Sequence, residues 1–426
     1  MTAPSPKTGA AVKTEGAFGQ IAAALTHLAK RRELRLLLLC NSVLGMSVSF
    51  VMPFMSLFCT REVGMSLALF GVFMTGSAAA NIGISTWLAH QSDTRLSRRR
   101  VLLWASFAGA VGYAGYAFVR EPWLLFVLGG GVLGLASLTF AQLFAYAREL
   151  VERSNVERSD VPLYMNVFRM AFALAWTVGP AVAAFVLRAS SFAGLFTAAA
   201  ALYVLLFVLV FVFVEETPPA PRPAAAAPPA RLRDVLARRD VLLWFAGLTA
   251  ILGAHAMSIN NMALLVLRVL HGSEADVGVI FSLAPVFELP FMLYVGFLAT
   301  RVRSESLIRA AMLLAVAYYA CLGCVQAPHE IYPLTALSAA IVSVTSGVAI
   351  TFFQNKLPDQ LGAATNLYSN ASRLGSTSGY LLFGLVASRF GHRGTAFACA
   401  LLALLALTLT AFAGSRGSPA HAAPRD

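Results

Sequence analysis

The chain has 426 residues, 58 % of them hydrophobic and 12 % charged, and a mean hydropathy of +0.73. A soluble domain carries about 25 % charged residues, and a membrane barrel alternates apolar and polar positions; neither pattern is present, while apolar runs of roughly 20 residues recur from Leu36 onward. The net charge of +12 does not mark a nucleic-acid binder, because 24 Lys and Arg fall on one set of termini and loops, 6 on the other and 2 (Arg169 and Arg373) inside apolar runs, which is the positive-inside asymmetry.

The first 35 residues read as a polar tail. Within it Phe18, Ile21, Ala22, Leu25 and Leu28 recur at helical spacing before Lys30-Arg31-Arg32. This is either a helix lying on the membrane face or an extension of the first span. No cleavable signal peptide is expected, since the first apolar run is long and lacks a small-residue cleavage site after it.

Apolar runs, breakers and charges then predict twelve spans: 36–58, 68–90, 100–119, 122–146, 163–187, 190–214, 241–267, 275–300, 306–326, 331–355, 362–388 and 393–413. Arg120, Glu121 and Pro122 make a tight hairpin between the third and fourth. An even count puts both termini on one side, and the cationic loops place that side in the cytoplasm. Residues 215–240, rich in Pro and Ala, form a semi-stiff cytoplasmic linker between six-helix bundles at 36–214 and 241–413; residues 414–426 are a cytoplasmic tail. The expected fold class is therefore all-α and polytopic, twelve transmembrane helices in two related halves.

An internal repeat supports the division. Arg31-Arg32-Glu33 matches Arg238-Arg239-Asp240 at an offset of 207, as Ala68 and Gly71 match Ala275 and Gly278. At an offset of 200, Asn166, Ala171 and Gly179 match Asn366, Ala371 and Gly379. A parallel repeat of two six-helix units is a transporter architecture.

The five cysteines lie in or beside apolar runs, so no disulfide framework is expected, and Cys321-x-x-Cys324 is expected to pack in the core. No convergent His/Asp/Cys set and no phosphate-binding loop is present, so an enzyme, a metal site and a cofactor are not expected.

Asp93 followed by Arg98-Arg99-Arg100 after the second span resembles the signature loop of the major facilitator superfamily, and Trp176-x-x-Gly179-Pro180 resembles its fifth-helix motif. Ala89, Thr94 and Ser97 depart from the usual loop residues. Ser56-Leu57-Phe58, Gln142-Leu143-Phe144-Ala145, Glu288-Leu289-Pro290 and Phe353-Gln354 with Gly362-Ala363-Ala364-Thr365 narrow the resemblance to the bacterial sugar efflux transporter family. The resemblance implies an inner-membrane exporter of sugars or glycosides driven by proton entry. Its implied partners are a small-molecule sugar, protons and the bilayer, with the chain acting as a monomer. Multidrug efflux is the alternative. Asp93 and Arg98–Arg100 would latch the cytoplasmic side; Gly179 and Pro180 would serve as a hinge and packing device in the fifth helix.

Few ionisable groups lie deep in the spans: Arg169, His255, Glu288 and Arg373. A charge at mid-bilayer costs about 2.5–3.5 kcal/mol on insertion scales, so each must face protein, water or a partner. In this fold helix five neighbours helix eight and helix two neighbours helix eleven. Arg169 and Glu288 then differ in depth by roughly 9 Å and are expected to interact directly or through water. The pair is either a static packing tie or the proton site, since burial favours the neutral carboxyl and a nearby guanidinium the charged one. Asn41, Asn81, Gln142, His255, Asn260, Asn261 and Arg373 are the substrate-binding candidates, because sugar hydroxyls need amides and charged groups. Helix-to-helix hydrogen bonding is the competing role, expected for one of Asn260 and Asn261. His255 is either an interior histidine or a proton carrier.

Overall fold

The computed structural model describes residues 31–92, 97–154, 161–216, 237–357 and 361–413, without the side chains of 88–92, 162, 361 and 362. The Phe18–Leu28 pattern, Asp93, linker residues 217–236 and the tail 414–426 lie outside the described residues.

Among those residues the chain is helical and contains no strand. Ten spans follow in order: α1 (Arg32–Glu62), α2 (Leu67–Ser92), α3 (Arg98–Phe118), α4 (Pro122–Arg153), α5 (Val161–Ala189), α6 (Phe192–Phe213), α7 (Arg239–Val269), α8 (Glu274–Leu298), α9 (Ser304–Cys324) and α10 (Pro328–Lys356). Their starts are chemically marked. Ser97 caps α3, Ser273 and Asp276 form a capping box on α8, and Pro122 opens α4 where its missing N–H costs nothing.

The last apolar stretch, Leu361–Phe412, is 52 residues long. A straight helix of that length would run about 78 Å, more than twice a hydrocarbon core of ~30 Å. It is broken at Gly391, whose φ of 70° and ψ of −174° suit only glycine. We number 361–390 as α11 and 392–412 as α12. Contacts with α7 show the reversal. Gly375 and Gly379 meet Thr249 and Gly253 in the same chain direction, whereas His392, Cys399 and Ala406 meet Asn261, Ala254 and Gly247 in the opposite one. The twelve expected spans are thus present, in two pseudo-symmetric six-helix bundles.

The duplication is visible in the backbone itself. α1 and α7 both end in a widened π-turn, Phe58–Glu62 and Leu265–Val269, at the offset of 207 seen in the sequence. α4 and α10 each carry another, Val127–Val132 and Ser343–Val348. Such turns are rare and concentrate at functional places.

The halves meet through α5 against α8 and α2 against α11, as the resemblance implied. Small residues make this possible. A Cβ on Gly71 would lie 2.8 Å from Gly384 Cα, and one on Gly278 would lie 2.8 Å from Ala184 Cβ. One expectation fails here: Cys321 and Cys324 are exposed free thiols on α9, because Leu322 and Gly323 take its inward face and Gly323 packs on Phe397.

Candidate functional site

The hydrogen bonds between the two halves lie toward the end where α1 finishes. Ala181 N–H donates to Ser282 Oγ at 3.2 Å, joining α5 to α8, and Thr75 Oγ1 donates to the Thr377 carbonyl at 3.3 Å, joining α2 to α11. Beyond them Arg61 pairs with Glu274 at 3.4 Å and Arg268 donates to Thr60 at 3.0 Å. The molecule is closed at this end. At about 1.5 Å per residue, Glu288 stands roughly 9 Å and Arg169 roughly 18 Å from the Ala181–Ser282 contact, both toward the end where α1 begins and α12 finishes.

α5 presents each of its sides to a different neighbour. Phe168, Phe172, Ala175 and Gly179 face α1: Asn41 Nδ2 donates to the Phe168 carbonyl at 2.5 Å, Gly45 packs on Phe172 and Ala175, and Gly179 abuts the Ser49 hydroxyl. Pro180, Ala181 and Ala184 face α8. Leu174, Val178 and Phe185 are exposed on the outer side. Arg169 and Trp176, two turns apart, fall on the side that remains, toward the space between the halves. Arg169 is exposed there, within electrostatic reach of the Tyr368 hydroxyl on α11, and the Trp176 indole N–H is buried without a partner.

Glu288 is half-buried, and its own carbonyl accepts from Ser343 Oγ in the α10 π-turn at 3.3 Å. The direct Arg169–Glu288 contact expected above is not formed among the described residues: Glu288, six residues past Ser282, lies about 120° around α8 from the side that meets α5. Arg373 is exposed on the face of α11 that carries Thr377 and Tyr380, one turn from the contact with α2. His255 is half-buried on α7.

The amides divide by what they touch. Asn41 is fully buried as a tie between α1 and α5. Asn261 is 1 % exposed and grips the α11–α12 corner twice, donating to the His392 carbonyl at 2.9 Å and meeting His392 Nδ1 at 2.8 Å. Among the described residues Asn260 bonds the Ala256 carbonyl of its own helix, at 2.8 Å, and no other helix. Gln142 accepts from Arg98 at 3.3 Å. Asn81 packs against Gly134 on α4, inside the first half, and its buried Oδ1 has no partner. Asn261→Ala is therefore expected to destabilise the protein by about 1–3 kcal/mol, because it orphans buried polar atoms of His392. Asn260→Ala is expected to lower the Tm less; thermal unfolding of the two purified variants compares them.

The arginine run is anchored within the first half. Arg98 pairs with Glu149 at 2.6 Å, Arg99 donates to the Phe211 carbonyl at 2.7 Å, and Arg100 pairs with Glu216 at 2.9 Å. Asp93, the acid of the expected cytoplasmic latch, lies outside the described residues. Among the described residues no group of three or more His, Cys, Asp or Glu stands close enough to hold a metal.

Sequence reading missed the closure residues Ser282, Thr75 and Thr377. Their signal was available. Gly71-x-x-x-Thr75 and Gly278-x-x-x-Ser282 are small-x-x-x-small pairs at the same offset of 207.

Comparison with known proteins agrees with this architecture. The model of the Major Facilitator Superfamily matches residues 37–375. A Deinococcus radiodurans protein named for sugar efflux is 33 % identical over 377 residues, 88 % of this chain and 96 % of its own length. Sugar efflux transporter A of Dickeya chrysanthemi is 30 % identical over 360 residues, 84 % of this chain and 90 % of its own. The crystal structure of the nucleoside transporter NupG superposes with a TM-score of 0.76 at 14 % identity, covering 89 % of this chain and 99 % of that one, a likeness of fold alone. The chain belongs to the major facilitator superfamily and, within it, to the sugar efflux transporter family.

Proposed function

We propose that this membrane transporter exports sugars or glycosides across the bacterial inner membrane in exchange for protons, as a monomer with both termini in the cytoplasm. The observation that carries the reading is the placement of Arg169, Glu288 and Arg373 on the inner helices α5, α8 and α11, on the termini side of a closure built from small residues. Such a closure can part without breaking a hydrophobic core, and its parting would give the same groups access to the other compartment.

In this cycle the Glu288 carboxylate binds a proton from one side and releases it to the other while the sugar moves the opposite way. Arg169 modulates it: approach of the guanidinium favours the charged form and separation favours the neutral one. Arg373, Asn260 and His255 are the remaining candidates for the sugar, because their side chains are not tied between helices in this conformation and, unlike Asn81, are not packed against a glycine of their own half. Asn41, Asn81, Gln142 and Asn261 serve helix packing.

Accumulation of radiolabelled lactose or a thiogalactoside in inverted vesicles tests this reading. Uptake is expected with an acid-inside proton gradient and is lost with a protonophore. One observation favours multidrug efflux instead: Phe140, 41 % exposed, packs with Phe144 and Phe172 at centroid distances of 4.5 and 5.0 Å. Gradient-driven uptake of a lipophilic cation in place of the sugar would establish that alternative.

A further inference from the structure

The two widened turns that end α1 and α7 are copies of one device. In each, an amide bonds the carbonyl five residues back, Val63 to Phe58 and Leu270 to Leu265, both at 3.1 Å. In each, the chain then passes through a left-handed residue, Gly64 at φ 76° and His271 at φ 52°. A second amide closes the cap from six residues on, Met65 to Cys59 and Gly272 to Val266, both at 2.9 Å. All these positions are related by the offset of 207, and so are the arginines that the turns carry, Arg61 and Arg268. A histidine in the left-handed region is uncommon, so the second copy keeps the geometry even without glycine.

Each arginine crosses to the other half. Arg61 pairs with Glu274 in the first turn of α8, and Arg268 bonds the Thr60 hydroxyl at the end of α1. The neighbouring acid Glu62 does not compete for Arg61, since Arg120 holds it at 3.5 Å. Between helices in a membrane there is no hydrophobic driving force, so the van der Waals packing of the glycine contacts of α2–α11 and α5–α8 is the main attraction there, and polar contacts across the halves add to it.

We propose that Arg61 and Arg268 form a duplicated latch that holds the end of the transporter opposite the termini closed, and that its release is required for that end to open. The latch is distinct from the arginine run Arg98–Arg100, which lies at the other end. It acts on whatever substrate is carried.

Ser282→Cys, placed in a background with the exposed Cys321 and Cys324 changed to serine, reports closure, because Ser282 is half-buried and lies at the α5–α8 contact, where parting of the helices would uncover it further. The measurement is the rate of alkylation by a water-soluble maleimide in nanodiscs. Arg61→Gln and Arg268→Gln are each expected to raise it about threefold, and together about tenfold, the scale of two exposed polar contacts. The exchange of Arg61→Glu with Glu274→Arg is expected to return the rate to that of the parent. An unchanged rate in the double variant, or a charge exchange that labels as fast as Arg61→Glu alone, overturns the latch. The readout needs neither sugar nor a proton gradient, so it stands or falls apart from sugar export.

Discussion

Glu288→Gln is expected to abolish proton-driven export while leaving expression intact. The amide copies the shape of the protonated carboxyl but has no proton to give up. With one proton exchanged per sugar, each pH unit across the membrane sustains about tenfold accumulation. The variant is expected to stop at equal concentrations inside and outside the vesicle, while exchange of labelled for unlabelled sugar continues. Expression should hold because the Glu288 contact in this conformation is made by its backbone carbonyl, to Ser343, which the substitution preserves. Full gradient-dependent accumulation by the variant would remove Glu288 from the coupling mechanism. Loss of exchange as well would mean that the side chain serves the substrate rather than the proton.

Alanine at Gly379 is expected to cost more stability than alanine at Gly179, although the two are repeat partners. A Cβ at Gly179 would collide with the Ser49 hydroxyl, which can rotate away, and would lie 2.8 Å from the Ser49 Cβ, so that a small shift of this one residue is also needed. A Cβ at Gly379 would collide with the Gly253 carbonyl on α7, with its carbon and Cα both at 3.1 Å. Backbone cannot swing aside, so α11 must move off α7 as a body. Overpacking costs about 1–3 kcal/mol in general. Gly179→Ala is expected at the low end and Gly379→Ala at or above the high end, read as a drop in Tm in detergent. Pairing Gly179→Ala with Ser49→Gly should restore the first variant, whereas removing a side chain from α7 has no counterpart for the second, since Gly253 has none. Equal losses at both positions would show that the helix-to-helix distance is not set by these contacts.

The large-scale organisation was legible because it depends on quantities that residues carry individually. Twelve apolar runs, an asymmetry of cations and a repeat at offsets of 207 and 200 are readable without knowing which way any side chain points. The sequence likewise marked the interruption between 388 and 393 where Gly391 reverses the chain. It did not mark the closure, although the paired small residues were present, because Gly and Ser at four-residue spacing also occur where nothing meets.

The sequence by itself determined the class of solvent, the number of crossings, the duplication and the short list of buried polar groups. Only the tertiary structure decided what each polar group does, because that depends on the rotation of a helix about its axis. Asn260 and Asn261 are adjacent and chemically identical, yet 100° apart around α7. One bonds its own helix, and the other holds a corner 131 residues away.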